Sequence, residues 1–190
     1  MALAEFTAKY PNSTVVRYDP VSSAALLAAN QLCFGAAVVP NYKFDQADII
    51  VSFGADFLGT WISPVEYARA YAKNRKIHSL KNPKMSRHYQ VESHMSLTGS
   101  NADNRILVKP SEQGAAIVAL YNALSGQSGG PKLNDKAASA IQKMAEELKN
   151  ARGKSLVVSG SNNVMEQMYV NKINDLLGNI NTTVDFNAVS

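Results

Sequence analysis

The stretch Ala47–Trp61, ADIIVSFGADFLGTW, decides how the rest of the chain is read. Its first half is apolar on both faces, which is the pattern of a strand covered by helices above and below. Gly54-Ala55-Asp56 then breaks the strand, and the chain turns away before a new helix. Strands of this kind belong to α/β sheets, whose ligands sit outside the carboxyl ends of the strands. GAD is therefore either a cofactor loop or a loop that keeps its shape without a ligand.

Working outward, strand and helix patterns alternate along the chain. Ser13–Asp19 (STVVRYD) has the β-branched enrichment of a strand. The following run to Gly35 has helical spacing, with Gly35 placed as its C-terminal cap. A short strand is predicted at Ala36–Pro40. A helix is predicted from Ser63, with Pro64 at its first position, Glu66 completing a capping box, and Val65, Ala68 and Ala72 on one face.

Strands are predicted again at RHYQVESHM and RILVKP. The helix SEQGAAIVALYNALSG that follows can be buried nearly all round. A flexible excursion is predicted at QSGGPKLN. The next helix carries a stripe of Ala138, Ile141, Ala145 and Leu148 and ends by Gly153. A strand (KSLVVSG), a helix and a last strand (NTTVDF) complete the chain.

This alternation predicts a three-layer, Rossmann-like α/β domain with a mostly parallel sheet and helices on both faces. The 190 residues make one domain, with residues 1–12 as a flexible start, and both ends look like cuts through a larger protein.

Composition narrows the chemistry. The chain is 46% hydrophobic and 18% charged with a formal charge of +4, too small by itself to argue for nucleic acid. No apolar run approaches the roughly 18 residues of a membrane span. The single cysteine, Cys33, excludes an internal disulfide and a cysteine-held cluster within this chain. The three histidines lack metal-ligand spacing. There is no G-x-G-x-x-G fingerprint, P-loop or G-x-S-x-G elbow.

Three strand-to-helix junctions carry suggestive residues. Gly54 permits close backbone approach, and Asp56 can hydrogen-bond ribose or amine groups or simply cap the next segment. In VKPSEQGA, Ser111 can cap a helix whose first-turn N–H groups can receive an anion. Ser159–Asn162 is a third turn of small residues. A basic run, Lys73, Arg75, Lys76, Lys81, Lys84 and Arg87 without an intervening acid, can face a partner or remain a solvated loop.

The order and wording of these motifs resemble the molybdopterin oxidoreductase superfamily, which includes DMSO reductases and formate dehydrogenases. The resemblance rests on ADIIVSFGADFLGTWISPVEYARAYAKNRK, MSLTGSNADNRILVKPSEQGAAIVALYNAL and SLVVSGSN…INDLLGNINTTV, and covers Ser13 to Phe186. DFLGTWISPVEYAR and MSRHYQVESHMSLTGSNADNR are similar to one branch, the large iron–sulfur subunit of alternative complex III.

The resemblance implies that Gly54, Asp56, Ser96, Thr98, Asp103, Pro110, Ser111, Gly114, Ser159, Gly160 and Ser161 match positions that hold the nucleotide tail of molybdopterin guanine dinucleotide. It also implies a branch without molybdenum, whose iron–sulfur clusters lie elsewhere in the parent chain. The family's Pro-Gly turn here reads Pro110-Ser111, and its acid is replaced by Gln113. Both departures lean towards an empty site.

The expected role is a structural and docking domain without catalytic residues, in a subunit peripheral to the periplasmic side of a bacterial inner membrane. Its partners would be other domains of the parent and subunits of a respiratory complex, with no nucleic acid and no membrane insertion. The alternatives are a cofactor-binding domain of an active molybdenum oxidoreductase and an isolated nucleotide-binding domain.

Overall fold

The computed structural model describes residues 2–16, 21–77, 79–81 and 83–189. The elements are α1 (Ala2–Lys9), α2 (Ala24–Phe34), β1 (Pro40–Tyr42), β2 (Ile49–Phe53), α3 (Pro64–Arg75), β3 (Arg87–Glu92), α4 (Leu97–Ser100), β4 (Asn104–Leu107), α5 (Gln113–Ser125), α6 (Asp135–Asn150), β5 (Ser155–Ser159), α7 (Val164–Leu176) and β6 (Val184–Val189). Short 3-10 turns lie at Phe44–Gln46 and Pro110–Glu112.

Four strands form an all-parallel sheet in the order β4-β3-β2-β5. One face buries Val51, Phe53, Tyr89, Val91 and Val157 against α5, α6 and α7. The other buries Ile50, Leu156 and Val158 with Leu26 of α2, Phe44, Phe57 and the α3 tyrosines Tyr67 and Tyr71. The chain is thus an α/β domain of the three-layer, Rossmann-like kind. β1 and β6 form a separate antiparallel pair with a bulge beside Pro40, and Lys43 pairs with Asp185 at 2.6 Å across it.

Several expected details shift. Ser13–Val16 form no strand, and Arg17–Asp19 lie outside the described residues. The strand expected at Ala36–Pro40 begins instead at Pro40, the position in a strand where a missing N–H is tolerated. Within the expected flexible start, Ala2–Lys9 are helical, with no residue buried.

The Ser63 hydroxyl bonds the Glu66 carboxylate at 3.2 Å rather than the helix backbone. α3 buries Tyr67 and Tyr71, while Val65 is exposed. The aromatic pair at i, i+4 outweighs the small residues because its rings bury far more surface. In α6 the stripe is Ala137, Ile141, Met144, Ala145 and Leu148. Ala138 is exposed, since one residue's shift turns a helical position by about 100°. No residue from Glu112 to Leu124 is exposed, as the sequence of α5 predicts.

The outer edge of β5 is closed by side chains rather than by a strand. Asn174 accepts from Val157 N at 3.2 Å and donates to Val157 O at 2.7 Å, imitating a strand partner. Gln167 Nε2 donates to Ser159 O at 3.0 Å, and Thr183 Oγ1 to Ser155 O at 2.5 Å. A buried edge left open would strand these backbone groups without partners. Replacing Asn174 by Ala leaves both backbone groups of Val157 without that partner, and each orphaned buried group costs about 1–3 kcal/mol, so a loss of roughly 2–6 kcal/mol is expected. Urea denaturation with an unchanged m-value would register it as a lower midpoint.

Candidate functional site

All four parallel strands end at the same edge of the sheet. From β2 the chain steps through β3 to β4, then returns to the far side of β2 as β5. The loops after β2 and β5 therefore diverge, and the point between them is where open α/β sheets place a ligand crevice.

The base of that crevice is tight. Gly160 N donates to Phe53 O at 3.0 Å, continuing the β2–β5 ladder beyond the strand ends. A Cβ on Gly160 would lie 2.5 Å from Gly54 O and 3.0 Å from Gly54 C, both backbone atoms. Above it opens a cavity of about 300 Å³ whose walls include Ser23, Leu26, Thr60, Trp61, Ser161 and Gln167. No charged side chain lines it among the described residues. The sequence marks Gly160 and Ser161 as part of a strand-to-helix turn, and that turn stands at the cavity. Thr60, Trp61 and Gln167 carry no such mark, because nothing local marks a residue that only the return of β5 brings alongside β2.

On the other flank of β2, the expected binding residues turn inward. Gly54 adopts φ +62°, and its N donates to Val91 O at 2.9 Å. The Gln113 side chain lies against Gly54 where a Cβ would otherwise project, 2.6 Å from its Nε2. That Nε2 donates to Phe53 O at 2.9 Å. An ionised acid at position 113 has no proton to give this carbonyl, so glutamine closes the strand end as the acid cannot.

Asp56 Oδ1 accepts from Thr98 N at 3.0 Å and Thr98 Oγ1 at 2.7 Å. Its backbone carbonyl receives the N–H groups of Gly59, Thr60 and Trp61. Asp56 therefore organises its own turn and pins α4.

Ser96 caps α4 by accepting from Gly99 N at 2.9 Å and donates its hydroxyl to Glu92 Oε2 at 2.7 Å. Pro110 and Ser111 lie in the 3-10 turn ahead of α5. Ser111 is exposed and does not cap; instead Glu112 accepts from Lys109 N at 3.0 Å. Gly114 faces the Glu166 carboxylate of α7. Ser159 Oγ accepts from Ser161 N at 3.1 Å, and Ser161 Oγ from Asn163 N at 3.1 Å.

Asp103 is not brought to this edge. It lies beside the amino end of β3, where it accepts from His88 N at 2.8 Å and grips Arg75 with both oxygens at 2.5 and 2.8 Å. Burial pushes its carboxyl up, but the Arg75 guanidinium and the His88 N–H outweigh this and hold it below the usual carboxylate range. The basic run is largely engaged too. Lys73 pairs with Asp45, Lys84 with Asp48, and Arg87 with Glu147. Of its six cations, only Lys76 and Lys81 have no ion pair among the described residues.

A further cluster escaped the sequence reading. His88, Gln90 and Glu92 alternate along β3 on the face opposite Tyr89 and Val91, and none is more than 2% exposed. Glu92 accepts from Arg105 Nε at 2.6 Å, Ser96 and Gln90. Burial alone would raise its pKa; these bonds together lower it. His88 Nε2 faces Gln90 Oε1 at 3.3 Å and Nδ1 faces the Tyr71 hydroxyl at 3.2 Å. The signal was the strict alternation in RHYQVE, which by itself reads as a solvent-facing side. Among the described residues, no group of three or more His, Cys, Asp or Glu side chains is arranged to hold a metal ion.

Comparison with protein-family models finds no match, and comparison with curated proteins finds none either.

Two outcomes follow from this geometry. Gly160→Ala presses a Cβ onto the Gly54 backbone, which cannot swing aside as a side chain would, so about 1–3 kcal/mol of stability should be lost. A neutral result in chemical denaturation would mean that the two loops part freely.

The second concerns pH. Burial lowers the His88 pKa from 6.5 to about 4. Between those values the unfolded chain binds the extra proton, so stability rises with pH across this window and is complete above it. Acidifying from 6.5 to 4 should remove about 3 kcal/mol. The lowered Asp103 and Glu92 values act in the same direction but only at more acidic pH, near and below the ordinary carboxylate range. His88→Gln should flatten the pH 4–6.5 portion of a urea-midpoint profile, and an unchanged slope would assign it elsewhere.

Proposed function

We propose that this chain is a structural and docking domain of an electron-transfer subunit resembling the molybdopterin-like iron–sulfur subunit of alternative complex III. The observation that carries this reading is the inward engagement of the residues that would hold a nucleotide tail. Asp56 is bound to Thr98, Gln113 is bound to the Phe53 carbonyl beside Gly54, and Ser96 is bound to Glu92.

A guanine dinucleotide tail needs backbone N–H groups and an acid facing outward at the strand ends. At β2 and β3 these groups meet other parts of the same chain, so the residues present do not fit that cofactor. The cavity beside Gly160 and Ser161 and the exposed turn at Pro110–Ser111 are left, and in that turn the Cβ at position 111 stands where the family's glycine has none. Electrons in such a subunit would pass through clusters outside this chain, and this domain would supply shape and contact surface. No helix among the described residues is long and apolar enough to cross a membrane, in keeping with a peripheral placement.

Two measurements test this. Thermal denaturation of the chain with GMP and GDP should give unchanged midpoints. A ligand at a hundredfold over its Kd stabilises by about 2.7 kcal/mol, roughly 5–10 °C for a domain of this size. A saturable shift of that order would replace the scaffold reading with a nucleotide-binding one. Metal analysis of the intact parent subunit should then give iron without molybdenum; stoichiometric molybdenum would establish the active-oxidoreductase alternative.

A further inference from the structure

The buried ladder on β3 has one direction of hydrogen bonding. Glu92 is an ionised acceptor, so Gln90 must present its amide nitrogen to Glu92 Oε2, 3.1 Å away, and its Oε1 to the histidine. His88 Nε2 therefore carries a proton, and in the neutral ring Nδ1 carries the lone pair. The Tyr71 hydroxyl, kept protonated by burial, donates to that lone pair.

Tyr71 has a second acceptor in reach. Its oxygen lies 3.2 Å from His88 Nδ1 and also 3.2 Å from Asn101 O, at the end of α4. One hydroxyl proton serves one of these at a time. We propose that Tyr71 and His88 form a two-position hydrogen-bond switch, in which a proton taken from solvent at His88 Nδ1 turns the Tyr71 hydroxyl from the imidazole to the Asn101 carbonyl.

In the charged position Nδ1–H donates to the Tyr71 oxygen, Tyr71 keeps its own proton and donates to Asn101 O, and Nε2–H still donates to Gln90. Every hydrogen bond of the neutral state has a counterpart in the charged one. What opposes the proton is burial, since His88 has no exposed surface.

The groups facing the ring set the balance. Arg75, from α3, disfavours the charge. Asp103, from the turn before β4, and Glu92, on β3 itself, favour it. Arg105, from β4, is bound to Glu92, and Phe57 adds only its ring, with centroids 5.3 Å apart.

The switch reaches the carboxyl edge through α4. That four-residue helix carries Thr98, which holds Asp56, and its cap Ser96, which holds Glu92. In the neutral state Tyr71 ties α3 to β3; in the charged state it ties α3 to β3 and to the end of α4 together.

The test is NMR on the full chain with nitrogen-labelled histidine, the His88 signal being assigned by its loss in His88→Gln. At pH 7 the ring should be the Nε2–H tautomer with an unprotonated Nδ1. On acidification towards pH 4, the His88 nitrogens and the Ala102 amide, which adjoins the Asn101 carbonyl, should move with one shared midpoint. Tyr71→Phe should abolish the Ala102 response and lower the His88 midpoint, because the charged ring loses its acceptor. An Nδ1–H tautomer at pH 7, an Ala102 amide indifferent to His88, or unfolding before His88 takes up a proton would each overturn the switch.

Discussion

The structure depends on the satisfaction of one strand. β2 is hydrogen-bonded to β3 on one side and β5 on the other, and from Ile50 to Phe53 it is fully buried. A backbone so placed has no access to water, so its polar groups must meet sheet partners and its side chains must meet helices on both faces. The pairing extends past the strand itself. Gly54 N reaches Val91 O, while Phe53 O receives both Gly160 N and the Gln113 amide. The loops of the carboxyl edge are held by the same rule that holds the sheet.

That rule also explains the unusual polar content of the interior. The connection between β3 and β4 contains only the four-residue α4, too short to lay an apolar stripe over the sheet. The β3 residues on that face are His88, Gln90 and Glu92, and they are accommodated by hydrogen bonds in series, with His88 also packed against Phe57 and Tyr71. At the opposite margin, Asn174, Gln167 and Thr183 do for β5 what a further strand would do. In both places a side-chain amide stands in for missing structure because it carries a donor and an acceptor together.

The functional reading follows from where polar groups point, since a Rossmann-like fold hosts many unrelated activities. On the β3–β4 side of the edge they point inward, to Thr98, Glu92 and Phe53 O. On the β5 side the loops leave a cavity bounded by Trp61 and Gln167, with the Gln167 nitrogen tied to Ser159 O and Ser161 O. The edge is thus built from two dissimilar halves that meet where Gly160 touches Gly54.

Pattern along the chain sufficed for the order of the main strands and helices from Ile49 onward, the short α4 excepted, for the parallel α/β class, and for the turns that follow Phe53 and Ser159. These rest on local periodicity and on glycine and proline chemistry, which act within a few residues. It misplaced Val65 and Ala138, where burial depends on which face a helix offers to a neighbour distant in sequence. The family resemblance counted Asp103 among the nucleotide-tail positions, whereas the residue precedes β4 and lies at the other end of the sheet from the carboxyl edge. It took contacts across the fold to establish that RHYQVE hides its polar side, that most of the basic run is paired within the domain, and that Gln113 closes the end of β2. Each of these is a contact between chain segments far apart in sequence, and a pattern along one segment cannot specify what the other brings to it.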